Sequence, residues 1–117
     1  MGSGTSSSIR VLAAGASWRL FGSARAGETL LDAVAGDDEQ NRMLAGISLV
    51  KAGQRSFDLI ENKIAAREAT APVIRLLPDI GGERARGLLE QIAAGEPGGE
   101  ADAATECIEL LDRIKKL

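Results

Sequence analysis

The chain lacks the side chains that most often carry acid–base catalysis. Its 117 residues include no histidine and no tyrosine, and its single cysteine is Cys107. The commonest general base is therefore missing, and no histidine is present to turn the thiol into a thiolate. Cys107 also falls in the apolar stripe of the last predicted helix, where a packed thiol is the expected role. We expect a protein that is not an enzyme.

The same scarcity argues against metals and cofactors. Zinc sites need several Cys or His ligands, so only carboxylates such as Asp37, Asp38 and Glu39 could serve. These three lack the spaced oxygen ligands of a calcium loop, and capping of a helix is their expected role. Neither Gly81-Gly82 nor Gly98-Gly99 is followed by the Gly-Lys-Ser/Thr of a phosphate-binding loop. We expect no cofactor.

Long apolar runs and a basic surface are missing as well. No segment approaches the ~18 apolar residues that a membrane-spanning helix needs. The net charge of −3 argues against nucleic acid as a partner, although residues 1–27 carry Arg10, Arg19 and Arg25 and no acid. A single cysteine permits no intrachain disulfide, which fits a reducing compartment. We expect a cytoplasmic protein.

The residues that are plentiful favour helices. The chain has nineteen alanines and three aromatic residues, Trp18, Phe21 and Phe57. Alanine favours helices, whereas a β-sandwich would need alternating β-branched and aromatic residues. The expected fold class is therefore all-α.

A short motif that begins with two aliphatic residues repeats every 29 residues. It starts at Leu30, Leu59 and Leu88, and each period contains two helical patterns. A fixed period of about 30 residues with two helices per period is typical of stacked helical repeats. The predicted helices cover about 9–21, 28–35, 38–52, 54–68, 71–80, 83–94 and 101–115.

Several local signals accompany these helices. Ser8 is the predicted N-cap of the first helix, whose apolar face is predicted to contain Ile9, Leu12, Ala13, Ala16 and Leu20. Gly36 is expected to end the second helix in a left-handed cap, and Pro78 is expected to kink or shorten the fifth. Residues 1–8 have the composition of a flexible tag or linker, and residues 9–117 are predicted to form a single helical-repeat domain.

The pairs Leu30 to Gly53, Leu59 to Gly82 and Leu88 to Lys115 resemble HEAT repeats of the short bacterial kind. The resemblance covers about 90 residues and rests on the Leu-Leu first helices, the acidic turn Gly36-Asp37-Asp38 with Arg42 after it, and the Ala- and Leu-rich second helices. It implies an α-solenoid of about three helical hairpins. The helix over 9–21, with Trp18 and Phe21 packing on the first pair, would cap its N-terminal end. An ordinary helical bundle with accidental periodicity is the alternative.

Such a resemblance implies a non-catalytic scaffold or adaptor that binds a protein or peptide partner. The second helices of the pairs would line the binding surface, and the candidate contact residues on them are Glu39, Arg42, Arg75, Glu106 and Glu109. The alternative is a peripheral membrane-surface module or a self-assembly module that acts through the basic and aromatic N-terminal helix. The sequence also fits a fragment of a longer repeat array.

Overall fold

The computed structural model describes the backbone of residues 3–116 and the side chains of residues 8–116. Within residues 3–116 the chain is all-helical and contains no strand, which confirms the predicted fold class. The chain divides into two compact units, Met1–Ser56 and Phe57–Leu117. Helix α4 (Gln54–Ala65) starts in the last residues of the first unit and continues in the second.

Three helices build the first unit before α4 begins. They are α1 (Ser3–Phe21), α2 (Ala24–Ala35) and α3 (Glu39–Ala52), and each packs against the other two. Because α1 starts at Ser3, the prediction of Ser8 as its N-cap is wrong. Met1 and Gly2, in the segment predicted to be a tag or linker, lie outside the described residues. That assignment of residues 1–8, like the single domain over 9–117, stays a prediction.

At the turn between α2 and α3, the predicted N-cap of α3 is confirmed and the predicted conformation of the α2 C-cap is corrected. Asp38 is the N-cap of α3, and its carboxylate accepts a hydrogen bond from the Asn41 amide at 3.0 Å. This bond pairs one of the helix's free first-turn donors. Gly36 ends α2 as predicted, but its φ of −81° and ψ of −177° are extended rather than left-handed. Gly36 therefore ends the helix without using the positive φ that glycine allows.

Helix α1 buries the face opposite to the predicted one. Val11, Ala14 and Trp18 are buried, whereas Ile9 and Leu20, two residues of the predicted apolar face, are exposed. Every side of this helix is rich in small or aliphatic residues, so the sequence period does not single out one face. A tryptophan has more apolar surface to bury than a leucine has, and the face with Trp18 is the one that packs.

Residues at the start of α4 form hydrogen bonds with the C-terminal end of α1. The Trp18 indole Nε1 donates to the Ser56 Oγ at 3.0 Å, and both side chains are buried. Arg55 Nη1 donates to the carbonyl oxygens of Trp18 and Arg19 at 2.6 and 3.0 Å. The last carbonyls of a helix have no partner within it. Arg55 donates to the Arg19 carbonyl and is a second donor to the Trp18 carbonyl, which also accepts from the Gly22 amide at 3.0 Å. Phe21 is 78% exposed, so the expectation that it packs on the first helix pair together with Trp18 is wrong for Phe21.

The second unit contains several short elements and one long helix. After the rest of α4 come α5 (Ala71–Ile74), α6 (Leu77–Gly81), a 3₁₀ turn (Gly82–Ala85), α7 (Arg86–Ala93) and α8 (Gly99–Lys115). Helices α7 and α8 pack on each other, as do α5 and α8. The helix predicted over 71–80 is therefore two helices.

Pro78 explains where that helix breaks. A proline ring clashes with the carbonyl four residues earlier and supplies no N–H to it, and that carbonyl belongs to Ile74, the last residue of α5. The Ile74 oxygen instead faces the Cys107 thiol of α8, with Sγ at 3.8 Å. The break thus lies upstream of the proline, and Pro78 sits in the first turn of α6, where its missing N–H costs nothing.

Helix α8 has an apolar side, which contains Cys107 as the sequence predicts, and an acidic side. Ala104, Cys107 and Leu111 are buried, and Glu106 and Glu109 are exposed. This arrangement covers the apolar surface of α5 and α7 with one side of the helix. The acids stay in water, where charged side chains are usually found.

Arg86, the first residue of α7, forms ion pairs with the 3₁₀ turn before it and with α8. Its guanidinium makes two hydrogen bonds to the Glu83 carboxylate, at 2.9 and 2.7 Å, and a second ion pair with Asp112 of α8 at 2.9 Å. The hydrogen bond from Arg86 holds the pKa of Glu83 below its ordinary value of 4.5. The two carboxylates in turn raise the pKa of Arg86, with the hydrogen bond to Glu83 as the main cause.

Two of the three predicted helical hairpins are present as packed pairs. Helices α2 and α3 pack on each other in the first unit, and α7 and α8 do so in the second. The second helix of the middle pair is broken into α5 and α6. The stacking of these pairs as an α-solenoid stays a prediction.

Candidate functional site

Helix α1 carries an exposed apolar stripe. Ile9 is 61% exposed, Leu12 is 56% exposed and Leu20 is 71% exposed. At 3.6 residues per turn these three side chains fall within about 80° of the helix circumference. Val11 and Trp18, which are buried, lie on the opposite side. Helix α1 therefore presents one apolar side to the core of its unit and a second one to solvent.

Helix α3 has a similar exposed pair. Met43 is 58% exposed and Ile47, one turn later, is 47% exposed. Ala45 and Leu49 on the other side of the same helix are fully buried. A helix that keeps large aliphatic side chains in water on one side has more apolar surface than the unit's own core covers.

Two close contacts fix the register of α1 against α3. Ser8 Oγ donates to Asn41 Oδ1 at 3.0 Å, and the Gly15 backbone approaches the Ser48 side chain so closely that a Cβ at position 15 would collide with it. Both contacts join residues 33 positions apart, so the two helices run parallel, side by side.

The exposed stripes of α1 and α3 form one surface. Both helices also pack on α2, so each buries one side against α2 and touches the other helix along a second side. At 100° per residue, the exposed stripe is turned by about 100° from Gly15 on α1 and by about 120° in the opposite sense from Ser48 on α3, so both stripes lie on the side of the helix pair away from α2. We refer to this surface as the α1/α3 face. Its large apolar side chains are Ile9, Leu12, Leu20, Met43 and Ile47.

The α1/α3 face has an acidic end and a basic end. Glu39 lies in the first turn of α3, and Lys51 lies in its last turn. Arg19 lies in the last turn of α1, which ends at the same side of the unit because the helices are parallel. Acids at helix N-termini and bases at C-termini also complement the helix dipole. All three side chains belong to exposed residues.

Two of the predicted contact residues lie on α3, and one of them has a structural contact. Glu39 is exposed, at the edge of the α1/α3 face. Arg42 is half-buried, and its Nη1 donates to the Gly36 carbonyl at 2.9 Å. This bond satisfies a carbonyl at the end of α2. Their role in partner binding stays a prediction, but replacing Arg42 would also disturb the α2–α3 turn.

The other three predicted contact residues lie in the second unit. Arg75 follows α5, and its guanidinium contacts Glu106 Oε1 of α8 at 3.1 Å through Nη2 and 3.2 Å through Nε. Glu109 is exposed one turn further along α8. The structure thus brings Arg75 and Glu106 together as a surface ion pair, and such pairs contribute little to stability. Their predicted role in binding is not tested by this geometry.

An open cleft of about 710 Å³ lies within the second unit. Its floor is apolar and includes Ile74 and Leu88. Arg67 and Glu96 pair across its rim at 3.9 Å, with both side chains about nine-tenths exposed. Arg67 follows α4 with a φ of 61°, an uncommon left-handed conformation for a residue with a side chain. Two further glutamates line the cleft, so its rim is acidic: they are Glu61 and Glu100.

Cys107 has the environment of a core thiol. The residue is 4% exposed, and burial raises the pKa of its thiol. A raised pKa lowers the thiolate fraction and hence the nucleophilicity of the side chain. This agrees with the packed role that the sequence predicts for Cys107.

Neither a metal cluster nor a membrane-spanning helix occurs in the described part of the chain. No group of three His, Cys, Asp or Glu residues there is placed to hold a metal ion. Among the described helices, none combines the length and the apolar character that crossing a membrane requires.

Comparisons with protein-family models, with curated proteins and with solved structures found no match to the chain. The resemblance to HEAT repeats is therefore carried by the residues of this sequence alone.

The apolar part of the α1/α3 face was not predicted as a site. The sequence marks Ile9, Leu12 and Leu20 as one apolar face of the first helix, but they are not among the predicted contact residues. The signal that could have identified it is the second stripe on the same helix, with Val11 and Trp18. One layer of α2 cannot cover both sides of α1.

Proposed function

We propose that this protein is a non-catalytic interaction module, built from HEAT-like helical hairpins, that binds a protein partner through the α1/α3 face. The observation that carries the proposal is the exposure of five large aliphatic side chains on one side of two neighbouring helices. Contiguous apolar surface of this kind on a folded protein marks interaction sites. The lack of histidine supports a binding role over a catalytic one.

The energetics of the face suit a partner with an apolar helix or helices. Complete burial of an aliphatic side chain contributes about 1.5–3 kcal/mol, so covering side chains that are half exposed contributes roughly 1 kcal/mol each. The helical ridges of α1 and α3 leave a groove into which the ridges of another helix fit. Helix α3 is the second helix of the first predicted pair, so Met43 and Ile47 lie in the row that the HEAT resemblance implies for binding.

A membrane surface is the second candidate partner. Arg10 and Arg19 on α1 are exposed, as are Ile9, Leu12 and Leu20, and this combination suits an interfacial helix. Glu39 at the other end of the face opposes contact with anionic head groups. The charges at the two ends of the face therefore favour a protein.

The test compares three forms of the full chain. One is the wild type, one is Leu12→Gln/Ile47→Gln, and the matched control is Leu110→Gln/Ile114→Gln, which changes two exposed aliphatic residues of α8 that are 40% and 53% exposed. Each tagged form is incubated with native cell extract and with an untagged copy of the chain, and retained proteins are quantified by mass spectrometry. Circular dichroism checks the fold of each form. Anionic phosphatidylserine vesicles are tested in parallel by co-sedimentation.

We expect wild type and control to retain the same protein and Leu12→Gln/Ile47→Gln to lose it. Equal retention by all three forms would show that the α1/α3 face is not the binding surface. If no protein is retained, including the untagged copy, the protein-binding function is wrong. Vesicle binding that the Leu12→Gln/Ile47→Gln form alone loses, without any retained protein, would establish the membrane alternative.

A further inference from the structure

We infer that the cleft of the second unit is a separate binding site, which takes a short basic amphipathic helix of a partner protein. The inference is independent of the α1/α3 face, because the cleft is lined by residues of the second unit. It is carried by the apolar ridges that line the cleft, by the excess of acids at its rim, and by an arginine held beside those acids in an unfavourable conformation.

Helices α4 and α7 each contribute one ridge of side chains to the cleft. Within each ridge the residues have the i, i+3, i+4 spacing that places them on one side of a helix. Ile64, Leu88 and Ile92 are half-buried, so part of each aliphatic side chain is open to the cleft. A space between helical ridges accepts a ridge of another helix. The ridge residues are Glu61, Ile64 and Ala65 of α4 and Leu88, Gln91 and Ile92 of α7.

The cleft has about the size of two helical turns. Two turns extend about 11 Å and a helix is about 10 Å across, which gives a volume of roughly 850 Å³. The cleft holds about 710 Å³ and is open to solvent. A helix in it therefore contacts the apolar floor with one side and keeps its other side in water. This favours an amphipathic helix over a wholly apolar one.

The charges at the rim select a basic occupant. Three segments each contribute an acid: Glu61 lies on α4, Glu96 follows α7, and Glu100 lies in the first turn of α8. Arg67 is the one base among the lining residues that the structure describes, and it already pairs with Glu96. Lysine or arginine side chains beside the apolar stripe of an incoming helix can pair with these acids, whereas an anionic peptide is repelled.

Helix dipoles add to the negative potential at this rim. Arg67 lies two positions after the end of α4, and Glu96 lies three positions after the end of α7. Because these two residues pair, the C-terminal ends of both helices lie at the same rim, and such ends carry partial negative charge. The N-terminal end of α8 is positive, but its first turn contains Glu100 and Asp102. The rim therefore attracts more positive charge than Arg67 supplies.

A small organic amine suits the cleft less well than a helix. None of the described residues that line the cleft is aromatic, so they form no cage for a quaternary amine. The acids also belong to three different segments, which matches several cations along a peptide better than one cationic centre.

Arg67 competes with the occupant for the acids of the rim. Its φ of 61° places it in the left-handed conformation that ends α4, and its amide donates to the Ile64 carbonyl at 3.0 Å. Glycine usually fills this position, because a side chain costs free energy there. The arginine instead keeps a cation within 3.9 Å of Glu96. A cation of the partner has to displace it to pair with Glu96.

The test measures the binding of labelled peptides to the purified full-length chain by fluorescence anisotropy, at protein concentrations up to about 1 mM. The probe is a peptide of about twelve residues, with leucines at i, i+3, i+4 and i+7 and lysines at the other positions. One control peptide has glutamate in place of every lysine. A second control peptide has serine in place of every leucine.

The variants separate the acids of the rim from the general charge of the protein. Glu61→Gln/Glu100→Gln removes two acids of the rim, and Arg67→Gln removes its base. The matched control is Asp32→Asn/Glu90→Gln, which changes the exposed acids 29 positions before and after Glu61 in the repeat, both outside the cleft. Circular dichroism and melting temperature establish that each variant is folded.

We expect the wild type to bind the probe and to bind both control peptides at least about tenfold more weakly. Glu61→Gln/Glu100→Gln should weaken binding of the probe about three- to twentyfold, since it removes two ion pairs. Asp32→Asn/Glu90→Gln should bind like the wild type. Arg67→Gln should bind about two- to fivefold more tightly, because the competing cation is gone.

A wild type that does not bind the probe, or that binds either control peptide equally well, would overturn the inference. So would a loss of affinity that Glu61→Gln/Glu100→Gln shares with its matched control, or an Arg67→Gln form that binds no more tightly. Leu12→Gln/Ile47→Gln should leave binding of the probe unchanged. If this variant abolishes it, the peptide binds the α1/α3 face, so the inference is wrong and the proposed function stands.

Discussion

The contact between Trp18 and Ser56 is a buried hydrogen bond between two side chains of the first unit. The indole Nε1 and the Ser56 Oγ are 3.0 Å apart, and Ser56 is fully buried. A buried donor that loses its partner suffers the whole desolvation penalty, whereas the paired bond itself contributes less. Ser56 therefore matters mainly because Trp18 needs an acceptor.

Ser56→Ala should lower the free energy of unfolding by about 1–3 kcal/mol, since it leaves the indole N–H unpaired in the core. The measurement is urea unfolding followed by circular dichroism. In a Trp18→Phe background, where no N–H exists to be left unpaired, the same substitution should cost close to nothing. An equal cost in both backgrounds would show that Ser56 acts through packing alone.

Which charged residues have structural partners could not be read from the sequence. Arg42 was predicted to project toward a partner, yet it donates to the Gly36 carbonyl. Asp38 was predicted to cap α3, and it does. The difference is that an N-cap is a local contact set by position in the helix, while an arginine side chain reaches several carbonyls and its choice depends on the turn geometry.

At the scale of elements, the close approach of α1 and α3 depends on Gly15. A Cβ added there meets the Ser48 side chain, whereas a Cβ on Gly87 of α7 has nothing within 4 Å. Both glycines lie in helices, where alanine is intrinsically favoured by roughly 1 kcal/mol. The two sites therefore separate helix propensity from packing.

Gly87→Ala should raise the free energy of unfolding by up to about 1 kcal/mol through helix propensity. Gly15→Ala should lower it, because overpacking costs about 1–3 kcal/mol and exceeds that gain. Thermal and urea unfolding of the two variants give the sign directly. Adding Ser48→Ala to Gly15→Ala should recover part of the loss. Stabilisation by both glycine substitutions would contradict the close helix contact.

The contact between the 3₁₀ turn, α7 and α8 should depend on pH. Arg86 holds the pKa of Glu83 below its ordinary value of 4.5, so this pair stabilises the fold fully above about pH 4.5. As the pH falls through the lowered pKa, Glu83 becomes protonated and the contribution is lost. Arg86→Gln should therefore flatten the decrease of the urea midpoint below pH 4.5.

Arg113→Gln is the matched control for this pH dependence, since it removes the same charge from exposed α8 surface in the same unit. It should keep the wild-type slope between about pH 5 and pH 3. If the Arg86 and Arg113 variants have the same slope, the Glu83 contact does not contribute to acid sensitivity.

Helix boundaries followed the sequence where local signals were strong. Helix α3 runs from Glu39 to Ala52 against a predicted 38–52, because Asp38 and Gly53 mark its two ends. The predicted helix over 71–80 is two helices because Pro78 acts on a carbonyl four residues earlier. Its effect lies upstream, whereas the prediction placed it in the last turn.

At the scale of the whole molecule, the sequence predicted the all-α class but not the surface that the geometry favours for binding. The composition, rich in alanine and poor in aromatics, was enough for the class. The orientation of α1 was not predictable, since both of its sides are apolar and only the packing around Trp18 decides between them. The site therefore depends on which side of α1 packs in the tertiary structure. The hydrophobic periodicity of the sequence does not indicate that side.

The order of synthesis gives the contacts around Trp18 a further consequence. Trp18 and Arg55 are 37 residues apart, and Ser56 follows directly. At about 5–20 residues per second, a ribosome needs roughly 2–7 s to add the intervening segment. For that time the nascent α1 has neither the acceptor for its indole nor the guanidinium that pairs its last carbonyls. Helix α1 therefore lacks these two partners of its C-terminal end until α4 is made, and nascent-chain binding factors have seconds in which to reach Trp18.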